Sequence, residues 1–416
     1  MRIQHDMKHR AHWFSAAIIC FALHFGLIFH HVYITASHHG KRPFPPPSRA
    51  FVEKNHTTLP TAWHPVFDMN RWDSAHYEII TKHGYRSQEA NERYYHPIMW
   101  YPGYPLAAGL VQRVTGLPTT LVFSILSLAF TFTFWVLLWS PPITDTLGIK
   151  AITVSSLLII AWPGSYYFFA GMTEPLVCLL LLLSLMLWLR NKSIHSGVVL
   201  ALGTAVKQLF VPVALAYFGL NLLKNRKRPL KHSLIFLLSL TGFFCFGIYG
   251  YLYFGNFFIS SDTCLAMFEK KLNILSVIDI RHYARHFWKI NGITAFAGMA
   301  LLVGMVPSVL TNRPGSPGLP ALLKKTQDTL PVNLVLWWVA LAMTSFFILG
   351  DAYGETPYMS MLRFQTTNIP LFLLVGYQMR HHAWSTLLFL LLPLVALFLI
   401  WQQSFTILYW GWRWIA

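Results

Sequence analysis

Residues 121–139, LVFSILSLAFTFTFWVLLW, hold no charged side chain. About 20 residues of helix cross the hydrocarbon core of a bilayer, and there every backbone N–H and C=O must be satisfied internally. Such a run folds as a helix, either in lipid or deep in a protein core. Recurrence decides between the two. Apolar runs return at 13–33, 149–169, 174–189, 196–223, 232–254, 291–311, 332–350, 363–379 and 384–402. Charged residues make up 11% of the 416-residue chain, whereas soluble domains carry about 25%. The pattern predicts an all-α polytopic membrane protein, with residues 1–416 forming one integral membrane domain.

The net charge of +17 does not form one patch. It falls into short groups between apolar runs: Arg190 and Lys192; Lys224, Arg226, Lys227, Arg228 and Lys231; Arg313, Lys324 and Lys325; Arg380. Cytoplasmic loops collect Lys and Arg in this way. No compact basic domain exists to carry nucleic acid, so membrane lipids are the expected surroundings and nucleic acid is not an expected partner. Cys20, Cys178 and Cys245 lie inside apolar runs and Cys264 in a loop, which gives neither a disulfide framework nor a thiolate metal site. The first run follows a basic start but is too long for a signal-peptide core. It is expected to be a retained anchor.

The stretch 196–223 is interrupted at Lys207 and Gln208, with Pro212 just beyond. This predicts two short helices meeting at a bend. Counted so, the chain has about 11 transmembrane helices, and the basic loops all fall on the cytoplasmic side. The long polar loop 35–118, Met172–Glu174, the loop 255–290 and Asp351–Ser360 then lie on the far side.

Within the long loop, NRWDSAHYEIITKHGY (70–85) gathers acid, base, imidazole and aromatic rings. A short helix is expected from Asp73 to a stop at Gly84, which puts His76 and Tyr77 on the face of Asp73. Asp73 suits an N-cap and a reactive carboxylate, roles that do not exclude each other but respond differently to mutation, and Trp72 suits a membrane-interface anchor. Glu174, Lys207 and Arg363 stand at the far-side ends of apolar spans, where unpaired burial costs a few kcal/mol. Each alone suits a snorkelling charge. All four on one side would surround a cavity for an anionic lipid head. His64, Asp68, Asp73 and His76 could gather a divalent ion, but their spacing matches no ligand motif, and no metal or other cofactor is expected. His30, His31, His381 and His382 suit the membrane interface.

The order RWDSAHY, HGY, WYPGYPLAAGL (100–110), MTEPLVCLLLL, LALGTAVKQ, YLYFGNFFISSDTCLAMF (251–268) and MLRF resembles the multispanning lipid-phosphosugar-dependent glycosyltransferases of the GT-C superfamily. It is most similar to the family of the second mannosyltransferase of GPI-anchor assembly and its bacterial relatives. The resemblance covers nearly the whole chain up to Arg363. At Lys207 the family more often shows Arg; Lys keeps the charge without the bidentate fork.

The resemblance implies a GT-C-like bundle with a long first extracytoplasmic loop carrying the active site. It implies an inverting enzyme that moves a hexose, mannose first, from a polyprenyl- or dolichyl-phosphate donor to a hydroxyl of a lipid, glycan or protein-linked acceptor. Asp73 would be the general base, and Lys207 and Arg363 would face the leaving phosphate. Glu174 would orient sugar hydroxyls, and Trp72, His76, Tyr77 and Tyr104 would contact sugar or acceptor. The expected location is the bacterial inner membrane, with the endoplasmic reticulum as the alternative. A transporter or flippase, or a silent subunit of the same fold, are the rival readings. Transport would scatter the charges along a central path; an enzyme would place them around one outer cavity.

Overall fold

The computed structural model describes residues 2–38, 73–85, 97–267, 290–306, 330–349 and 361–410. Among these residues there are seventeen α-helices and no strand. The long N-terminal helix α1 (Arg2–His38) is followed, inside the expected polar loop, by α2 (Asp73–His83) and α3 (Gly103–Thr115). Next come α4 (Thr119–Leu138), α5 (Pro141–Leu147), α6 (Ile149–Ala161), α7 (Glu174–Leu189), α8 (Ser193–Val206) and α9 (Phe210–Lys224). The chain continues through α10 (Pro229–Ser239), α11 (Thr241–Phe254), α12 (Ile259–Met267), α13 (Ile290–Gly304) and α14 (Val332–Leu349). It closes with α15 (Met361–Thr366), α16 (Ile369–Met379) and α17 (Trp384–Trp410).

Three described stretches are long and apolar enough to cross a membrane: His12–Tyr33 in α1, α4, and Trp384–Thr406 in α17. Two further pairs qualify only as bent units, α5 with α6 at 106° and α10 with α11 at 53°. Other apolar helices are shorter. The expected straight span 149–169 is one correction. Helix α6 stops at Ala161, because Trp162-Pro163-Gly164 breaks it, and Ser165–Phe169 forms a 3-10 turn. A second correction falls in 363–379, which divides at Thr367 and Asn368 into α15 and α16. The break expected at Lys207 is present: the residue is extended (φ −158°, ψ 137°) between α8 and α9.

Helix α4 has no charged face, and half of its span is buried inside the protein. Val122, Phe123, Phe134 and Trp135 are fully enclosed, with α1 on one side and α7 on another. Helix α8 packs against α7, α10 and α11, while α6 lies along α16, and α16 along α14. Small residues let these helices approach closely. A Cβ at Gly242 would lie 2.4 Å from both the Ala201 carbonyl oxygen and the Ala205 nitrogen, so α11 rests directly on the backbone of α8.

Two helices fix the polarity of the bundle. Both α7 and α16 begin beside Arg363 and Glu174 and carry the chain away, to Arg190 and Arg380. At about 1.5 Å per residue, α7 alone covers about 24 Å. The basic loops adjoin there: Lys224 Nζ donates to Asn191 Oδ1, and Lys150 Nζ donates to the His382 carbonyl.

Candidate functional site

Four charges separated by up to 290 positions meet at the helix ends opposite those basic loops. Arg363, in the first turn and a half of α15, is the bridge. Its Nη1 donates to Asp73 Oδ2, and its Nε donates to Glu174 Oε1 at 2.6 Å. Lys207 Nζ reaches the same Glu174 oxygen at 2.7 Å. Two carboxylates and two cations thus close on one another directly, where the sequence suggested an open cavity around them.

The local chain explains each position. Asp73 opens α2, where the helix dipole favours a negative charge, and its carboxylate turns to Arg363. Glu174 opens α7 in the same way. The turn before it uses Gly171 at φ +62°, a conformation that suits glycine. Lys207 is delivered by the break between α8 and α9, whose amide still closes on the Gly203 carbonyl at 2.9 Å. That break needs Gly203, because the Phe210 ring would lie 2.3 Å from a Cβ there. Arg363 is held by the anchoring of α15: Trp162 Nε1 donates to Thr366 Oγ1 at 3.1 Å. Beyond it, Asn368 Nδ2 donates to Thr344 Oγ1 at 2.9 Å.

Exposure divides the four. Glu174 is wholly buried and Arg363 nearly so at 7%, while the side chains of Asp73 and Lys207 keep 18% and 19% of their surface. The inner pair is fixed in the bundle; the outer pair reaches its edge. For Asp73, burial acts to raise the carboxyl pKa, but the charge and hydrogen bond of Arg363 outweigh it and hold the group below its ordinary value. Asp73 is therefore ionised at neutral pH.

Aromatic rings line α2. His76 is buried and stacks on Trp100 with ring centroids 3.9 Å apart and planes 13° from parallel. Tyr77 donates to Thr173 Oγ1 at 3.4 Å and meets Tyr104 edge-on at 5.4 Å. Tyr104 is fully buried, stacked on Phe123 and donating to the Phe123 carbonyl. These rings seat α2 and α3 against α4 and the residue before Glu174. Trp72, His64 and Asp68 lie outside the described residues, and among the described residues no group of three His, Cys, Asp or Glu converges on a metal-sized site.

Several neighbours went unnoticed in the sequence. The Tyr167 ring lies 5.4 Å from the Arg363 guanidinium carbon, and Phe364 lies 5.3 Å from Lys207 Nζ, both within cation–π range. Gln208, beside Lys207, donates to Ser261 Oγ at 2.8 Å and ties the break to α12. The aromatic pair after Pro163-Gly164 and the residue following Arg363 were the available signals for the first two. Ser261 gave none.

Burial moves the His76 imidazole from its usual 6.5 to about 4, with the Asp73 charge opposing that shift. The unfolded chain then binds a proton that the folded chain refuses. Stability contributed by neutral His76 is present above about pH 6.5 and is lost as pH falls toward about 4. The melting midpoint in detergent should fall through that window, and a chain carrying His76→Gln should lose this part of the slope. An unchanged slope would place the histidine in a hydrated setting.

Compared with family models and with curated proteins, the chain matches none.

Proposed function

We propose that this chain is an integral membrane glycosyltransferase of the GT-C type. It moves a hexose, mannose first, from a polyprenyl- or dolichyl-phosphate donor to an acceptor hydroxyl at the extracytoplasmic face. The observation that carries the reading is the convergence of Asp73, Glu174, Lys207 and Arg363 in one place, at the bundle end away from the basic loops. One gathering of charge at a helix-end surface favours chemistry on a membrane-bound substrate over transport along a central path. About 11 spans are proposed, several of them short or broken, with α2 and α3 belonging to the long first extracytoplasmic loop. The bacterial inner membrane is the proposed location.

The chemistry follows from the charges. The acceptor oxygen attacks the anomeric carbon while its proton passes to the Asp73 carboxylate. The bond from that carbon to the phosphate oxygen breaks on the opposite face. The lipid phosphate leaves with the electron pair, stabilised by the guanidinium of Arg363 and the ammonium of Lys207. Direct displacement inverts the anomeric centre and needs one base rather than the carboxylate pair of a retaining glycosidase. Glu174 serves twice. Its Oε1 holds both cations, and its buried Oε2, which has no hydrogen-bond partner among the described residues, can accept a sugar hydroxyl. Leaving a buried acceptor unpaired costs about 1–3 kcal/mol, which a substrate hydroxyl would relieve. His76, Tyr77 and Tyr104 shape the wall behind Asp73, and no step requires a metal ion from these residues.

The test is transfer of labelled sugar from a panel of polyprenyl-phosphate hexoses into lipid and protein fractions of membranes containing the chain. Transfer from the mannose donor supports the reading. Movement of the intact donor across liposomes without any transfer would favour the flippase alternative.

A further inference from the structure

Arg363 has two assignments that conflict. It is bonded to Asp73, and the proposed reaction asks it to hold the donor phosphate while Asp73 takes a proton. We propose that the two anions exchange on Arg363: Asp73 occupies the guanidinium edge that the lipid phosphate takes on binding, so the arriving donor releases its own catalytic base. This rests on the reading of Arg363 as a phosphate-side cation.

The geometry makes Asp73 the partner that yields. Glu174 cannot: it is wholly buried at the head of α7, and its Oε1 is held by Arg363 Nε and Lys207 Nζ together. Asp73 is partly exposed, sits on the first turn of an eleven-residue helix, and touches Arg363 only through Nη1. The guanidinium is a planar fork that offers parallel donors to carboxylate or phosphate alike. Charge balance points the same way. Asp73 and Glu174 already neutralise Arg363 and Lys207, so an added phosphate brings uncompensated negative charge unless one carboxylate leaves the pair. Lys207, also partly exposed and with its Nζ over Phe364, is free to turn toward the newcomer on its flexible stem without releasing Glu174 from Arg363.

The exchange also orders the cycle. While Asp73 is bonded to Arg363, one of its oxygens is occupied and its basicity is low. Once displaced, it faces the acceptor as an unpaired carboxylate. After transfer it carries the acceptor's proton and is neutral, so it cannot reclaim Arg363 until that proton is lost to water. Its return as an anion then expels the polyprenyl phosphate. Donor binds before acceptor, and product release follows proton loss.

The test is binding, not turnover. Purified full-length chain in detergent is titrated with undecaprenyl phosphate, and separately with inorganic phosphate, for the wild type and for Asp73→Asn. Asparagine keeps the shape but removes the competing charge. It should tighten undecaprenyl phosphate by about 5- to 150-fold, the usual span of a coupling between two sites. Inorganic phosphate should gain by a similar factor, because the competition is at the phosphate, but should bind both chains far more weakly, because it lacks the lipid chain; inorganic phosphate binding as tightly as undecaprenyl phosphate would mean that a free phosphate, not a lipid head, is the ligand and would overturn the proposal. A second readout uses the wild type alone. Undecaprenyl phosphate should raise carbodiimide-driven amine labelling of Asp73, read by peptide mass. If the wild type binds the lipid phosphate but Asp73→Asn binds it no tighter and labelling does not rise, the exchange is overturned and the transferase reading stands. If neither chain binds it, the phosphate role of Arg363 falls, and the exchange with it.

Discussion

Alanine at Glu174 will lower the stability of the folded chain by about 3–5 kcal/mol, the cost of removing one partner from a buried ion pair. The expectation is at the upper end of what single substitutions do because one carboxylate oxygen serves two cations. Glu174 is fully enclosed, and its Oε1 takes Arg363 Nε at 2.6 Å and Lys207 Nζ at 2.7 Å. Without it, a guanidinium and an ammonium face each other with only Asp73 to balance them, and that carboxylate reaches Arg363 alone. Lys207 recovers part of its hydration, since its side chain is 19% exposed; Arg363, at 7%, recovers little. Glu174→Gln should fall between the two, since it keeps the shape and loses the charge. Adding Lys207→Met to Glu174→Ala should restore part of the loss, because the two positions share one interaction. Denaturant or thermal unfolding in detergent measures all four chains. A Glu174→Ala chain as stable as the wild type would mean that the quartet is hydrated rather than buried.

If the chain is the proposed transferase, lysine at Arg363 will lower sugar transfer by about 10²–10³-fold, the usual effect of losing one electrostatic donor at a developing anion. The charge is kept, so a purely electrostatic role would tolerate the change. The geometry does not tolerate it. Arg363 reaches Glu174 through Nε and Asp73 through Nη1 at once, from a plane that fixes the angle between them. An ammonium is a point donor on a flexible stem and cannot reproduce that fork. Lys207→Arg should be mild by contrast, since Lys207 makes one side-chain hydrogen bond among the described residues and is partly exposed. The ratio of the two effects is the informative quantity. If Arg363→Lys keeps the wild-type rate, the bridge is structural and the phosphate is held elsewhere.

The sequence made the site partners visible one at a time, and it left their contacts hidden. Glu174, Lys207 and Arg363 stood out because each is charged within or beside an apolar run, where charge is expensive. The break at Lys207 was legible from Lys-Gln followed by Pro212, and the end of α2 from Gly84, which adopts φ +69° and closes on the Ile80 carbonyl at 2.9 Å. The break at Trp162-Pro163-Gly164 was missed, because the apolar character continues through Ser165–Phe169 and hides the loss of helix. The division at Thr367-Asn368 was missed for a related reason: Asn368 is buried and bonded to Thr344, so a polar residue that looks like a tolerated helix position is a junction. Direct closure of four charges on one another depends on how α2, α7, α8 and α15 bring their ends together. No local pattern encodes that.

The tyrosines show the same limit. Tyr77 and Tyr104 were singled out as sugar or acceptor contacts by their place in the motif. In the structure their rings pack on each other, and Tyr104 also on Phe123. Motif order identified the neighbourhood, and packing determines which groups point toward the charges.

The most direct test of the account is sugar transfer from labelled polyprenyl-phosphate mannose by wild-type chain and by Asp73→Asn, at equal amounts of folded protein. Asparagine can still accept from Arg363 and can still stand at a helix start, but it cannot take a proton. The account predicts transfer by the wild type and a loss of about 10²–10⁴-fold in the variant, the usual contribution of a general base. Equal rates in both would contradict it, leaving Asp73 as the structural partner of Arg363 and the proton acceptor at some other residue.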